Sequence, residues 1–334
     1  MRISPPRLVR VVRARCLGWL VVVACLALPQ GLRGEPVVPG TGERIVQVGD
    51  DFEAEDWQYV PRNPKSSRDL DESPRLPSGV SQNGRWYEGM KRGHPDIVRR
   101  VETPARGLPG STGALLLQTQ RSGVPGFTSY RMQQDDFIAD CNYRLGGAMP
   151  VWQSPSVVTR VFLPPVDLWE NRTGPTFGFR LALTTTVTKP GRGRFATPQV
   201  EKETYWPGMF IEFQSKGQGG AQDDYASFRI RGDSRGGDFR GPQITQTGWW
   251  TLGMSVTADG MVHYYARPGV EDLTPADFIT SQYPYGYRAE HFKTFFFNVC
   301  NRDDGRTWST PWIVDDSYVY YIRSDRMART PSRP

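Results

Sequence analysis

Phe177-Gly178-Phe179-Arg180-Leu181-Ala182-Leu183 decides the fold. Successive side chains of an extended strand point to opposite faces, so Phe177, Phe179, Leu181 and Leu183 line one side while Gly178, Arg180 and Ala182 line the other. The same alternation sets Met209, Ile211 and Phe213 against Phe210, Glu212 and Gln214, and Phe228 and Ile230 against Arg229 and Arg231. A hairpin follows from Trp249 to Ala266. There Leu252, Met254 and Val256 alternate with small polar residues, Asp259-Gly260 supplies the turn, and Val262, Tyr264 and Ala266 alternate with His263 and Tyr265. Amphipathic helical patterns are scarce. The reading is therefore all-β, a two-sheet antiparallel sandwich with long loops, in one domain spanning 50–325. Residues 35–49 read as a linker, 189–204 as irregular and 326–334 as a frayed tail. The stretch 61–96, rich in Pro, Ser, Arg and Asn, is too long for an idle connection and reads as a functional loop or as partly disordered.

Composition supports a folded body. With 38% hydrophobic and 12% aromatic residues in 334, the chain has material for a large core, and its 35 Gly and 28 Pro follow no collagen period. The excess of basic residues is confined to the start: Arg2, Arg7, Arg10, Arg13, Arg15 and Arg33 lie in a stretch without an acid, and beyond residue 34 basic and acidic residues balance. That balance gives no electrostatic case for a nucleic-acid partner. The arginine-rich start followed by the apolar run from Cys16 to Leu28 reads as a secretory signal over 1–34. The run is too short for a membrane span of about 20 residues, and no later stretch competes, so no transmembrane helix is expected after signal removal. Val22-Val23-Ala24-Cys25 is similar to a bacterial lipobox, which makes a lipid anchor at Cys25 the competing reading; the apolar run continuing through Leu26-Ala27-Leu28 argues against it. Either way the destination is outside the cytoplasm, secreted or periplasmic.

In that compartment the remaining cysteines, Cys141 and Cys300, are expected to form a disulfide contributing about 5 kcal/mol on the chain-entropy model; two separate buried thiols are the alternative. A zinc site is not expected, because Cys-x-x-Cys and His-Glu-x-x-His are absent and His94, His263 and His291 lie far apart.

Several segments together resemble the concanavalin A-like lectin/glucanase jelly roll, the superfamily that includes laminin-G-like modules. They are Asp50-Asp51-Phe52-Glu53 with Trp57, the strand Gly113-Ala114-Leu115-Leu116-Leu117, the hairpin from Trp250-Thr251-Leu252-Gly253 to Tyr264-Tyr265, and Ile313-Val314-Asp315-Asp316 with Val319-Tyr320. The resemblance implies a bent sandwich whose concave face receives polysaccharide, first and last strands lying side by side, and a structural calcium near the termini. Asp-Asp pairs recur at 50–51, 135–136, 223–224, 303–304 and 315–316, and clustered hard oxygen ligands suit calcium. Because the resemblance brings the end strands together, Asp50 or Asp51 with Asp315 or Asp316 is the candidate calcium set; solvated turn acids are the plain alternative.

Placed on one sheet, the off-core positions comprise Arg160, Arg180, Glu212, Gln214, Arg229, Arg231, His263, Tyr265 and Asn298. Guanidinium forks recognise carboxylates or sulfates and aromatic faces stack sugars, so this set suits an acidic or sulfated polysaccharide; an ordinary solvated sheet face is the alternative. Carbohydrate binding is thus the leading function, with Arg160, Arg180, Gln214, Arg229, Arg231 and Asn298 as binding residues. A polysaccharide lyase or glycoside hydrolase is the second reading, with His263, Tyr265 and Glu212 as catalytic candidates. Glu201 and Glu203, two apart on a strand, offer a further carboxylate pair, but the Glu-x-Asp-x-x-Glu signature of the superfamily's glucanases is missing. A non-catalytic structural or adhesion module of the cell envelope is the third. Arg231-Gly232-Asp233-Ser234 reads as a turn after a strand rather than an adhesion tripeptide, and Asn171-Arg172-Thr173 is a glycosylation sequon only in a eukaryote. Trp86, Tyr87, Arg92 and His94 could cap a groove. Oligomeric state does not follow from any of this.

Overall fold

The computed structural model describes residues 35–70, 75–124, 126–191, 197–219 and 221–323. The signal, the Cys25 anchor and the 326–334 tail lie outside them. Among the described residues no helix is long and apolar enough to cross a membrane.

The chain is built from short strands: β1 (Glu43–Asp50), β2 (Tyr59–Val60), β3 (Val80–Ser81), β4 (Trp86–Glu88), β5 (Ile97–Glu102), β6 (Gly113–Gln118) and β7 (Gln133–Ala139). A helical turn α1 (Cys141–Arg144) precedes β8 (Met149–Pro150), β9 (Ser156–Leu163), β10 (Gly174–Lys189), β11 (Gln199–Tyr205) and β12 (Gly208–Gln214). The series ends with β13 (Tyr225–Arg231), β14 (Asp238–Ile244), β15 (Gly248–Val256), β16 (Val262–Pro268), β17 (Phe278–Gln282), β18 (His291–Asn301) and β19 (Trp312–Tyr321).

These strands form two antiparallel sheets. The smaller runs β17-β16-β15-β9-β19-β6-β5, with β1 also on β19; the larger runs β14-β13-β12-β10-β18-β7-β4-β3-β2, with β11 on β10 and β8 on β18. Strands that are consecutive in sequence keep changing sheet, so the sheets are interleaved along the chain. One apolar cluster takes residues from both, Val157, Val161, Leu252 and Val314 from the smaller and Phe177, Met209, Ile211 and Phe297 from the larger, which makes the molecule a sandwich with its core between the sheets. This is the architecture the concanavalin A-like resemblance implies. The first and last strands also pair as expected, Glu43 opposite Tyr321 and Asp50 opposite Ser317.

Parity holds where it was read most directly. Phe177, Phe179, Leu181 and Leu183 are all fully buried in the core, as are Met209, Ile211, Phe213, Phe228 and Ile230. In β18 the inward residues are Phe295, Phe297 and Val299, while Phe296 and Asn298 share the outer rows with Arg180 and Gly178. Trp86 stacks on Phe137 with centroids 4.8 Å apart and on Phe297 at 5.7 Å; Phe177 lies 5.5 Å from Phe297 and 5.1 Å from Trp312, and Trp312 meets Trp169 edge-on at 5.2 Å. Aromatic pairs at such spacings add to the stabilisation from area burial alone.

Three expectations are corrected. The presumed linker 35–49 supplies β1, where Gly49 (φ 81) sits at a register shift so tight that a Cβ would lie 1.7 Å from the Ser317 carbonyl oxygen. The presumed irregular stretch 189–204 contains most of β11. Cys141 and Cys300 are unbonded, buried thiols, and burial pushes both pKa values up to about 12. Register explains it: Cys300 lies opposite Gln134 on β7, seven residues before Cys141, a separation of roughly 20 Å where a bridge needs Cα atoms within about 7 Å. The stretch 61–96 contributes β3 and β4 and buries Lys65, Ser66, Ser67, Glu88 and His94.

Phe297→Ala removes a ring that touches Trp86, Phe177, Phe179 and Phe295. It should lower the unfolding free energy by about 3–5 kcal/mol in urea titration, against a change within about 0.5 kcal/mol for the exposed Val200→Thr.

Candidate functional site

The outer face of the larger sheet carries the charge. Antiparallel register lays Arg229, Phe210, Gly178, Asn298 and Asp136 across it in one row and Asp238, Arg231, Gly208, Arg180, Phe296 and Ile138 in the next. Gly178 is required by this packing, since a Cβ there would meet the Phe210 ring at 2.7 Å and Asn298 Oδ1 at 3.0 Å.

Arg180 is 5% exposed. Its guanidinium lies 5.5 Å from the Phe210 ring centroid and 5.3 Å from that of Phe296, and Nη2 donates to the Trp206 carbonyl at 2.7 Å. Among the described residues it makes no ion pair, and its buried Nε has no partner. Burial, reinforced by the like charge of Arg231, draws its pKa down to about 10, so it remains a cation at neutral pH. Arg229 and Arg231 differ. Glu212 accepts from Arg229 Nη1 at 2.8 Å, and Asp238 accepts from Arg231 at 2.8 and 3.1 Å. Asp136, 6% exposed, accepts from Asn298 Nδ2 at 2.6 Å; burial raises its pKa while Arg92 and Arg180 oppose the rise. Asn298 Oδ1 is buried without a partner.

Beside this row a cleft of about 580 Å³ opens over Asp136, Ile138, Ala182, Thr294 and Phe296, with Tyr87, Met90, Lys91 and Trp206 at its walls. Lys91 Nζ stands 4.3 Å from the Trp206 ring centroid. A larger cavity of about 720 Å³ opens beside Trp169, Phe213 and Ile244; its charged groups, Arg106 and Asp224, are exposed, and it holds none of the candidate catalytic, binding or calcium residues.

Of the predicted set, Arg180, Glu212, Arg229, Arg231 and Asn298 share this face. Gln214 is on it too, but its amide is spent on Thr173 Oγ1 and the Gln218 carbonyl, bracing the 215–219 loop. Arg160, His263 and Tyr265 are not there. They lie on the outer face of the smaller sheet, across the thickness of the sandwich, beneath residues 37–40 and the 269–277 loop. Arg160 is held by Asp272 at 2.8 Å and the Val270 carbonyl; Tyr265 is buried with Val158 and Leu273. His263 is fully buried, with Nε2 on Thr257 Oγ1 at 2.8 Å and Nδ1 on Ser281 Oγ at 2.6 Å, and burial lowers its pKa to about 4. Alternation distinguishes in from out but not one sheet from the other, which is why these three were grouped with the rest. Glu201 and Glu203 share a face as expected, bound to the exposed Lys189 at 2.9 and 3.1 Å.

Three of the four candidate calcium acids, Asp50, Asp51 and Asp315, accept from protein donors. Asp50 accepts from Trp57 Nε1 and Asn83 Nδ2, Asp51 from the Glu53 amide, and Asp315 from Ser111 and the Asp316 amide. Burial and the neighbouring Asp316 raise the Asp315 pKa to about 8. Among the described residues no group of three or more His, Cys, Asp or Glu side chains is arranged to hold a metal.

Sequence reasoning missed Trp206, Lys91, Phe210, Phe296 and Asp136 as parts of one site. Asp136 carried a usable signal, since Phe137 inward forces it outward. Of the proposed groove cap, Tyr87 lines the cleft, whereas Trp86 and His94 are buried.

No family model matches the chain, and no curated protein does. Solved structures similar to it include the binding domain of Paraclostridial Mosquitocidal Protein 1, at 10% identity over 74% of this chain and 46% of that one, with a TM-score of 0.35. They also include an alginate lyase from Pseudomonas aeruginosa, at 7% over 68% and 87% with a TM-score of 0.36, and the marine PL7 alginate lyase from Zobellia galactanivorans, at 9% over 79% and 93% with a TM-score of 0.35. The chain thus spans under half the length of the mosquitocidal binding domain. Likenesses this loose carry no argument about chemistry.

His263 sets a pH dependence. Above pH 6.5 the imidazole is neutral folded or unfolded; between 6.5 and about 4 only the unfolded chain takes up the proton, so stability falls as the pH drops through that window. The difference in unfolding free energy between wild type and His263→Gln should therefore shrink by about 2 kcal/mol from pH 7 to pH 4, measured by denaturant titration at each pH.

Proposed function

We propose that the outer face of the larger sheet binds an anionic polysaccharide, with Arg180 receiving a carboxylate or sulfate and Trp206 stacking a sugar ring. The observation that carries this is Arg180 itself: a buried guanidinium clasped by two aromatic faces and in no direct ion pair among the described residues, set behind Phe296 and Trp206, which line an open cleft. Asp136 offsets part of the Arg180 charge from a distance without a direct ion pair, and a desolvated cation so placed is costly to keep, a cost that a ligand anion would offset on arrival. Arg229 and Arg231, already neutralised by Glu212 and Asp238, shape the neighbouring surface and add little net charge. The flat indole of Trp206 and the cation of Lys91 extend the same recognition along the cleft.

Binding is favoured over cleavage. The carboxylates at this face are each engaged: Glu212 and Asp238 are tied into arginine pairs, Asp136 in the row accepts from Asn298 and Gln134, and Glu203 at the cleft is paired with Lys189, while the His263 and Tyr265 bases lie on the opposite face. Nor does the structure favour an adhesion role for Arg231-Gly232-Asp233, since Arg231 is tied to Asp238.

Isothermal titration with uronate and sulfated oligosaccharides tests the reading. Arg180→Ala should weaken binding about 10- to 100-fold and Trp206→Ala by a smaller factor, while His263→Gln leaves it unchanged. A folded wild type that ignores the whole panel, or an Arg180→Ala variant that binds as tightly, would overturn it.

A further inference from the structure

A second buried charge cluster lies away from the cleft. Asp135 faces inward from β7 alongside Phe137 and is fully buried, and Lys65, only 5% exposed, reaches it from the 61–70 segment. Lys65 Nζ stands 2.6 Å from Asp135 Oδ2 and 2.8 Å from Asp96 Oδ1, with its third hydrogen on the Arg121 carbonyl at 2.7 Å. Thr119 Oγ1 holds Asp135 Oδ2 at 2.5 Å, and Asp135 Oδ1 has no partner. Tyr59 packs 5.5 Å from Phe137 and 5.3 Å from His94, keeping the surroundings apolar. Asp96 sits at the edge, its side chain about a quarter exposed (25%), accepting also from the Gln120 and Arg121 amides.

One primary amine is thus fixed against one dry carboxyl group, with a second, partly hydrated carboxylate in contact with the same nitrogen. We propose that Lys65 and Asp135 condense to an intramolecular amide, with Asp96 as the proton acceptor. Asp96 takes a proton from the Lys65 ammonium, the freed Nζ lone pair adds to Asp135 Cγ, and a C–O bond of that carboxyl breaks. Of the three ammonium protons, one stays on the amide nitrogen, one leaves with the carboxyl hydroxyl as water, and one ends on Asp96 and passes to solvent. No oxidant, nucleotide or metal is needed. Fixed contact supplies the effective concentration that two free groups in water lack. Burial raises the Asp135 pKa to about 7, so that the acid form is populated, and Lys65 with two backbone amides keeps Asp96 ionised as an acceptor. The two carboxylates also raise the Lys65 pKa, so the ammonium gives up its proton only to Asp96 in the addition step itself. The link would tie β7 to a segment 70 residues earlier.

Mass spectrometry of the folded full-length chain after tryptic digestion decides it. Trypsin should fail to cut after Lys65, and peptide 63–68 should appear joined to peptide 132–144 at their summed mass less one water. Lys65→Arg, which keeps the cation and lacks the primary amine, should give peptide 132–144 alone at full mass. Asp96→Asn should leave the two peptides largely unjoined in a protein whose circular dichroism is unchanged. Wild-type protein that is folded yet yields both peptides separately, cut after Lys65, overturns the proposal whatever the variants do; equal joining in Asp96→Asn removes Asp96 from it.

Discussion

Everything in this molecule hangs on two-residue alternation in the central strands of the larger sheet. β10 and β18 turn Phe177, Phe179, Phe295 and Phe297 inward, where they stack with Trp86, Phe137 and Trp312, and the same alternation forces Arg180, Phe296 and Asn298 outward. The core and the charged face are therefore one decision made twice per dipeptide. Moving the register of either strand by one residue would bury the guanidinium in the aromatic stack and expose the rings, so the site is as strongly specified as the core.

How much of this is legible in the sequence follows from what alternation can encode. The inward sets of β10, β12 and β13 are readable because each strand carries its own hydrophobic face, and the β15–β16 hairpin because Asp259-Gly260 marks the turn. Assignment to a sheet is not readable locally. Arg160, His263 and Tyr265 point outward as read, but from the other sheet, and the coverings that bury them, residues 37–40 and the 269–277 loop, come from segments without periodicity. Cys141 and Cys300 fail as a pair for a related reason, because antiparallel register places them far apart along neighbouring segments, a distance that a count of cysteines does not contain. Trp206 and Lys91 belong to connections, where position is set by what they pack against.

Lys65 and Arg180, both buried, show how context divides identical formal charges. Lys65 is enclosed by Asp96, Asp135 and a backbone carbonyl, so its hydrogen-bonding capacity is filled from within. Arg180 has two aromatic faces and one carbonyl, with its Nε unpaired and no direct ion pair among the described residues. The first arrangement turns chemistry inward on the chain; the second leaves it available to a visitor.

The pairing of β1 with β19 has a mechanical consequence. Glu43 at the start of one strand faces Tyr321 at the end of the other, so tension applied at these two positions peels the ladder open rung by rung instead of loading its hydrogen bonds in parallel. Pulled from its ends, this sandwich should yield like a zipper at low force, beginning at the Glu43–Tyr321 rung, while the aromatic interior is still intact.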